Sequence, residues 1–236
     1  MILRDEEGRI IIKVWDWETR VLHWANAALI LILIGLALTY EFLEDTGVPG
    51  DIRHQVMYLH AYVGYLFIIT VFLRVYWGFR GNEYAGWRDL WPFTAEKMAY
   101  ILRKLRWCIR GFREGPAEFR YLGHDPLGSL FYLLLFLVVL SQIATGIALA
   151  GVDLHMAPWQ YFFSGLGNDN LELLKEAAEE LHEFGYFSMI FFIVVHVVGV
   201  VLHERHERTG ILSSMINGVK FFPEDKLKNF KYRDKR

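Results

Sequence analysis

The chain has 236 residues, 54% of them hydrophobic and 22% charged, with a formal net charge of −2. Positive mean hydropathy and long uncharged runs exclude an ordinary soluble domain, and the near-zero charge gives no basic excess that would make nucleic acid an expected partner. A single cysteine, Cys108, excludes an internal disulfide, a thiolate-held iron–sulfur cluster and the CxxCH attachment of a c-type haem.

Residues 1–20 are polar and charged, and Ile10 to Trp15 within them predicts a brief strand or an interfacial stretch. No signal-cleavage pattern follows, so the first apolar run is expected to remain as a membrane helix. That run, Val21 to Tyr40, is uncharged and carries His23 and Asn26 near its start. At about 1.5 Å per residue it is long enough to cross a hydrocarbon core of roughly 30 Å. An acidic loop, Glu41 to His54, contains Arg53 as its one basic residue. Gln55 to Leu73 predicts a second crossing with His60 in its second turn. Arg74 lies fourteen residues further on, at about 3.6 residues per turn on the same helix face at the opposite boundary.

The segment Trp77 to Asp125 is basic and aromatic. Thr94 can cap a helix with Met98, Ile101, Leu102, Leu105, Cys108, Ile109 and Phe112 on one side. Lys97, Arg103, Lys104, Arg106, Arg110 and Arg113 lie on the other. Such an amphipathic helix is expected in the lipid headgroup layer, with packing on the protein's own helices as the alternative. Pro126 to Val152 is the longest uncharged run and holds no histidine, so it reads as a structural third crossing. Asp153 to Glu183 is acidic, with an aromatic patch at Trp159, Tyr161, Phe162 and Phe163. Leu171 to Leu181 then looks helical and leads into a fourth crossing that ends at His203.

The expected fold is all-α: one membrane domain over 1–236, a four-helix bundle with crossings at about 21–40, 55–77, 127–151 and 182–203, plus the interfacial helix. Residues 1–20, 80–125 and 204–236 hold four, nine and nine Lys and Arg, against one in each of the loops 41–54 and 151–183. The positive-inside rule therefore predicts cytoplasmic termini and outward-facing acidic loops.

Orientation assigns each membrane histidine a depth. His60 and His182 open their helices from outside; His23 opens the first helix from inside, and His196 lies about two turns before the fourth helix exits there. An imidazole in lipid is costly without a partner. The bland reading is a hydrogen bond to a neighbouring helix. Two pairs at two depths instead match the two axial imidazoles of a b-type haem, twice over. Gly64, Gly185 and Gly199 leave room for a flat macrocycle. Zinc is the competing metal, but it wants three or four converging ligands. Arg20, Arg53, Arg74 and Arg205 are candidate partners for haem propionates, with lipid contact or topology signalling as the plainer role. His54, His124, His155, His203 and His206 read as solvated or capping residues, with His124 and His203 also suited to shape a cytoplasmic pocket.

Several stretches together resemble a known family, the b-type cytochrome membrane subunit of respiratory nickel–iron hydrogenases, within the wider group of four-helix dihaem cytochromes. They are Arg20-Val-Leu-His23-Trp24, His60 with Gly64, and the Arg-x-Tyr-Trp-x-Phe-x-Gly-Asn-x-Tyr stretch from Arg74 to Tyr84. Gly123-His124-Asp-Pro126, the His182/His196 spacing and Ser214-Met-Ile-Asn217-Gly218 complete the set. The Arg74 to Tyr84 stretch points to the hydrogenase branch. The resemblance implies that His23, His60, His182 and His196 ligate two haems. It further implies that electrons from hydrogenase small and large subunits outside enter the outer haem and reach a quinone near the cytoplasmic surface of a bacterial inner membrane. Hydrogen oxidation would belong to the partners and quinone reduction to this chain, in an assembly open to a higher oligomer. The short loop between the first two helices departs from the family pattern.

Two other assignments compete. One is a membrane subunit of formate dehydrogenase or a sulfur-compound reductase, which neighbouring subunits would distinguish. The other is an ion transporter whose histidines relay protons or metal ions, which would show no reducible haem absorption.

Overall fold

The computed structural model describes residues 4–110 and 121–223. Phe112 and Arg113 of the amphipathic pattern, the Cys108 and His206 side chains and the tail beyond Pro223 lie outside the described residues. Among the described residues ten elements follow one another: β1 (Ile10–Lys13), α1 (Trp17–Asp45), α2 (Gly50–Arg80), α3 (Trp87–Leu90), α4 (Ala95–Ile109), α5 (Pro126–Val152), α6 (Trp159–Phe163), α7 (Asn168–Glu207), α8 (Ile211–Asn217) and β2 (Val219–Phe222).

Four of the helices, α1, α2, α5 and α7, are long and apolar enough to cross a membrane. α1, α2 and α7 extend past the uncharged runs that announced them, because polar residues at the ends continue the backbone ladder outside the apolar window, while α5 coincides with its run. The extension is largest in α7. Its 40 residues would span about 60 Å, roughly twice a hydrocarbon core. Leu171 to Leu181 is helical as expected and forms the polar first part of the same helix that goes on to make the fourth crossing. Large apolar side chains face outward along these helices, among them Phe72 at 69% and Leu137 at 62% exposure. Water would penalise that surface; lipid does not.

The chain groups into two compact units: Leu22–Arg74 with Leu135–Ile193, and Met1–Val21 with Val75–Leu134 and Val194–Arg236. The core of the Leu22–Arg74/Leu135–Ile193 unit takes one or two residues from each long helix: Leu29, Phe67, Val71, Val139 and Met189. That is the inside of a four-helix bundle. Across it the Thr70 hydroxyl donates to Asn26 Oδ1 at 2.9 Å, satisfying two polar groups that hydrocarbon would otherwise strand. The α1–α2 turn closes on Gly47, whose positive φ of 72° lets Val48 N–H reach back to the Leu43 carbonyl at 3.0 Å. Arg53 pairs there with Glu44 and lies 5.9 Å from the Tyr40 ring, so this candidate propionate partner is tied to the loop's own carboxylate.

In the unit that carries both chain ends, β1 pairs antiparallel with β2, Ile10 opposite Phe222 and Lys13 opposite Val219. The brief strand expected near Ile10 exists, and its partner comes from the far end of the sequence. Asp16 caps α1, accepting from Thr19 N–H at 2.9 Å, and its other oxygen accepts from Trp77 Nε1 at 3.1 Å and Asn82 N–H at 3.2 Å. Burial works against its charged form, yet these hydrogen bonds hold the carboxyl below the usual range. Thr94 caps α4 as expected, accepting from Lys97 N–H at 3.3 Å.

The two sides of α4 do not divide as the periodicity predicts. Ile101 and Lys104 are buried together, while Leu102, Leu105 and Ile109 are exposed beside Arg103 and Arg106. The reason is Asp125, whose Oδ2 takes the Lys104 ammonium at 2.7 Å and the Tyr100 hydroxyl at 2.8 Å. A buried carboxylate demands a buried cation. Asp125 Oδ1 also caps α5, with Pro126 at the first helical position.

Candidate functional site

His60, the eleventh residue of α2, and His182, the fifteenth of α7, meet within one unit with ring centroids 6.2 Å apart and planes at 69°. Two imidazoles that share one metal through bonds of about 2.0 Å have centroids roughly 6 Å apart, so this pair is spaced as axial ligands are. The depth pairing predicts this meeting, and the structure brings the two rings together.

The ring of His182 is fixed from α5. Thr145 Oγ1 donates to the Ser141 carbonyl at 2.8 Å, which uses its only proton. With its proton placed there, the Thr145 oxygen accepts from His182 Nδ1–H, 2.8 Å away. That tautomer leaves the Nε2 lone pair for a metal, the arrangement in which an outer hydrogen bond orients a ligand and raises its basicity. Gln142 Nε2 donates to the His182 carbonyl at 2.9 Å, pinning the backbone as well. The sequence alone assigns α5 no part in the site. The available signal is Gln142 and Thr145, polar residues three apart inside an apolar run, which place two groups in need of partners on one face.

His60 has the complementary feature. The Leu33 backbone lies close to its ring, but no well-formed hydrogen bond reaches Nδ1, which is buried. A buried polar atom left unsatisfied costs about 1–3 kcal/mol, so its persistence points to a group that completes it. A Cβ built on Gly64, one turn after His60, would meet nothing within 4 Å, so this turn places no bulk beside the ring; Gly35 of α1 is exposed and opens on the outer surface of its helix. Gly185 serves otherwise: its Cβ would collide with Gln142 Nε2, so that glycine admits the side chain that holds His182. The donor set and the unobstructed turn at Gly64 fit b-type haem. Among the described residues no three His, Cys, Asp or Glu side chains gather as zinc would want.

His23 belongs to the same unit and stands edge-on to Trp24, with centroids 5.3 Å apart. His196, on the part of α7 in the other unit, is exposed, as is Gly199 one turn later, where a Cβ would meet nothing within 4 Å. Arg74 is half-buried near the end of the second crossing. Arg20 is directed to backbone: its guanidinium donates to the carbonyls of Asp16 and Ile216, and it lies 5.7 Å from the Trp17 ring.

His124 is no solvated loop residue. Its backbone N–H and ring Nδ1 both lie 2.9 Å from Asp89 Oδ2, and its ring centroid is 4.8 Å from that of Trp15. His203 lies close enough to Asp125 for its charge to act on the carboxyl.

The comparisons with known proteins agree with this geometry. Residues 14–218 match the family model described as "Prokaryotic cytochrome b561". The chain is 27% identical over 224 residues to a "Probable Ni/Fe-hydrogenase B-type cytochrome subunit" of Cupriavidus necator, covering 89% of this chain and 87% of that protein. A protein of the same description from Rhizobium leguminosarum is 28% identical, with 90% of each chain covered. The "Probable Ni/Fe-hydrogenase 1 B-type cytochrome subunit" of Escherichia coli K12 is 22% identical, with 92% and 93% covered. No solved structure gives a significant match. With four apolar spanning helices, a paired-histidine site and a family match along most of its length, the chain belongs to the prokaryotic cytochrome b561 family of membrane-integral, b-type haem electron carriers.

Proposed function

We propose that this chain is the membrane subunit of a nickel–iron hydrogenase, anchoring the small and large subunits and carrying their electrons across a bacterial inner membrane to quinone. Bound b-type haem would supply a one-electron iron couple at each of two levels. His60 and His182 hold the outer one, and His23 and His196 the inner. Thr145 and Gln142 keep His182 in its ligating tautomer and position. Arg74 and Arg20 supply positive charge at the inner boundary, where propionates need it. The excess of Lys and Arg in 1–20, 80–125 and 204–236 supports cytoplasmic termini, with the acidic, aromatic loops facing the hydrogenase. The exposed Leu102, Leu105 and Ile109 beside Arg103 and Arg106 suit α4 to the headgroup layer. The descriptions of the relatives support the hydrogenase partner.

The observation that carries the reading is the His60–His182 pair, with one ring oriented by Thr145 and the other buried with an unsatisfied nitrogen. Haem counted per polypeptide tests it. The native protein holds two; His60→Ala and His182→Ala each lose the same one, and His23→Ala and His196→Ala the other. Loss of a shared haem by His60→Ala and His196→Ala would overturn the pairing. Co-purification with hydrogenase subunits, and haem reduction by hydrogen in that complex, test the partner.

A further inference from the structure

The cluster around His124 lies apart in sequence from the four histidines proposed to hold haem. Asp89 Oδ2 accepts from the His124 backbone N–H and faces ring Nδ1, both at 2.9 Å. A carboxylate so placed keeps the proton on Nδ1, which makes Nε2 the nitrogen that gains and loses one. The turn is built to let this happen. A Cβ on Gly123 would sit 2.5 Å from Asp89 Oδ2, so only glycine lets the carboxylate reach the next residue. Lys220, 5% exposed, donates from β2 to the carbonyls of Leu122 and Gly123, each at 3.0 Å. Trp15 lies 4.8 Å from the imidazole and Tyr132 lies 6.4 Å away, centroid to centroid. Both side chains of the dyad keep 21% of their surface exposed.

The location matters as much as the pair. His124 stands two residues before Pro126 opens a spanning helix, so the dyad lies at a membrane boundary. A quinone reaches such a place from the lipid with its ring at the boundary and its tail among the acyl chains. Trp15 is buried and backs the imidazole, while the half-buried Tyr132 is the ring on which a flat headgroup can stack.

We propose that the quinone headgroup binds beside the Gly123–His124 turn and that His124, oriented by Asp89, is its proton donor. This rests on the quinone-reducing reading above. Reduction of the quinone to hydroquinone takes two electrons, delivered one at a time from reduced b-type haem, and two protons. One proton leaves His124 Nε2 for the carbonyl oxygen beside it, that N–H bond breaking as the O–H bond forms; the imidazole recovers its proton from water, and water supplies the proton for the opposite carbonyl oxygen. Asp89 is a positioning residue whose charge favours the imidazolium. Among the described residues, charged groups engaged near the dyad include Asp125, Lys104, Lys97 and Lys220, the last donating to the Leu122 and Gly123 carbonyls. Asp125 is held by Lys104 with His203 nearby, and Lys97 donates to the Asp89 carbonyl at 2.6 Å.

The test uses the complex with its native partners, prereduced, with haem reoxidation by duroquinone followed across pH. Asp89→Asn keeps an oxygen for both His124 contacts and removes the charge; His124→Gln keeps a donor toward Asp89 and removes the titration. Haem content and the dithionite-reduced spectrum stay native in both variants. Reoxidation slows at least tenfold in His124→Gln and loses its pH dependence; in Asp89→Asn the fall in rate with rising pH moves to lower pH. Redox-difference infrared spectra with ring-labelled histidine show an imidazole protonation signal that His124→Gln lacks. Native reoxidation and an unchanged infrared signal in His124→Gln would overturn the proton donor while leaving quinone reduction intact. Failure of duroquinone to reoxidise even the unaltered complex would overturn the quinone reading itself.

Discussion

The His60–His182 site and the network around Asp125 solve the same problem, a polar group away from water, in opposite ways. Near His182 polar side chains are few and each makes a single contribution, Thr145 setting a tautomer and Gln142 pinning a carbonyl. Around Asp125 they are dense and cooperative, with one carboxylate taking an ammonium, a phenol and a helix N-terminus together. Hydrocarbon tolerates a polar atom only with a dedicated partner, so the bundle uses isolated pairs that leave a ring nitrogen for metal. The unit that holds Asp125 accommodates a charge pair, and uses it to lock α4 onto the start of α5.

The largest expected effect breaks the network side. Asp125→Ala strands the Lys104 ammonium, 10% exposed, and uncaps α5, costing about 3–5 kcal/mol in the stability of the detergent-solubilised protein to unfolding. The same carboxyl sets a pH limb. Burial opposes its ionisation, but the Lys104 charge and the Lys104 and Tyr100 hydrogen bonds depress its folded pKa below 3.8. A depressed carboxyl contributes its full stability above the unfolded value and loses it as pH falls through the folded one. Acid unfolding of Asp125→Asn, measured below pH 4, should therefore be flatter than that of the unaltered protein.

On the bundle side the effects are smaller and fall on haem before stability. Thr145→Val removes the acceptor of His182 Nδ1–H and should weaken haem retention about 10-fold or more, as loss of an orienting partner does, with a shifted midpoint potential in the redox titration. Gly185→Ala should come next. Its methyl displaces Gln142 from the His182 carbonyl and lowers the melting temperature by the equivalent of about 1 kcal/mol, while both haems stay bound. Thr70→Val, which parts α2 from Asn26 of α1, should cost only about 0.6 kcal/mol in thermal unfolding, the usual worth of such a bond between membrane helices. If Thr70→Val instead cost as much as Asp125→Ala, the contrast between isolated pairs and a cooperative network would fail.

What can be read from the sequence has a period or a run to carry it. Uncharged stretches announce the four spans, Thr94 announces the start of α4, and orientation with depth along each helix pairs His60 with His182. What escapes depends on which of several allowed partners a residue takes. Lys104 reads as part of an exposed basic face, yet Asp125 faces it. Arg53 and Arg20 read as available, yet Glu44 and the Ile216 carbonyl engage them. Gly185 has the same spacing from its histidine as a cofactor-clearance glycine would, and only the position of Gln142 distinguishes the two roles. Periodicity says which way a side chain points, not what waits there.

The short ladder between Ile10–Lys13 and Val219–Phe222 bears on topology in its own right. Strands that exchange backbone hydrogen bonds cannot be divided by a bilayer, so the chain must traverse it an even number of times between them. Hydropathy arrives at four by counting apolar windows; the joined ends reach the same parity without any reference to lipid.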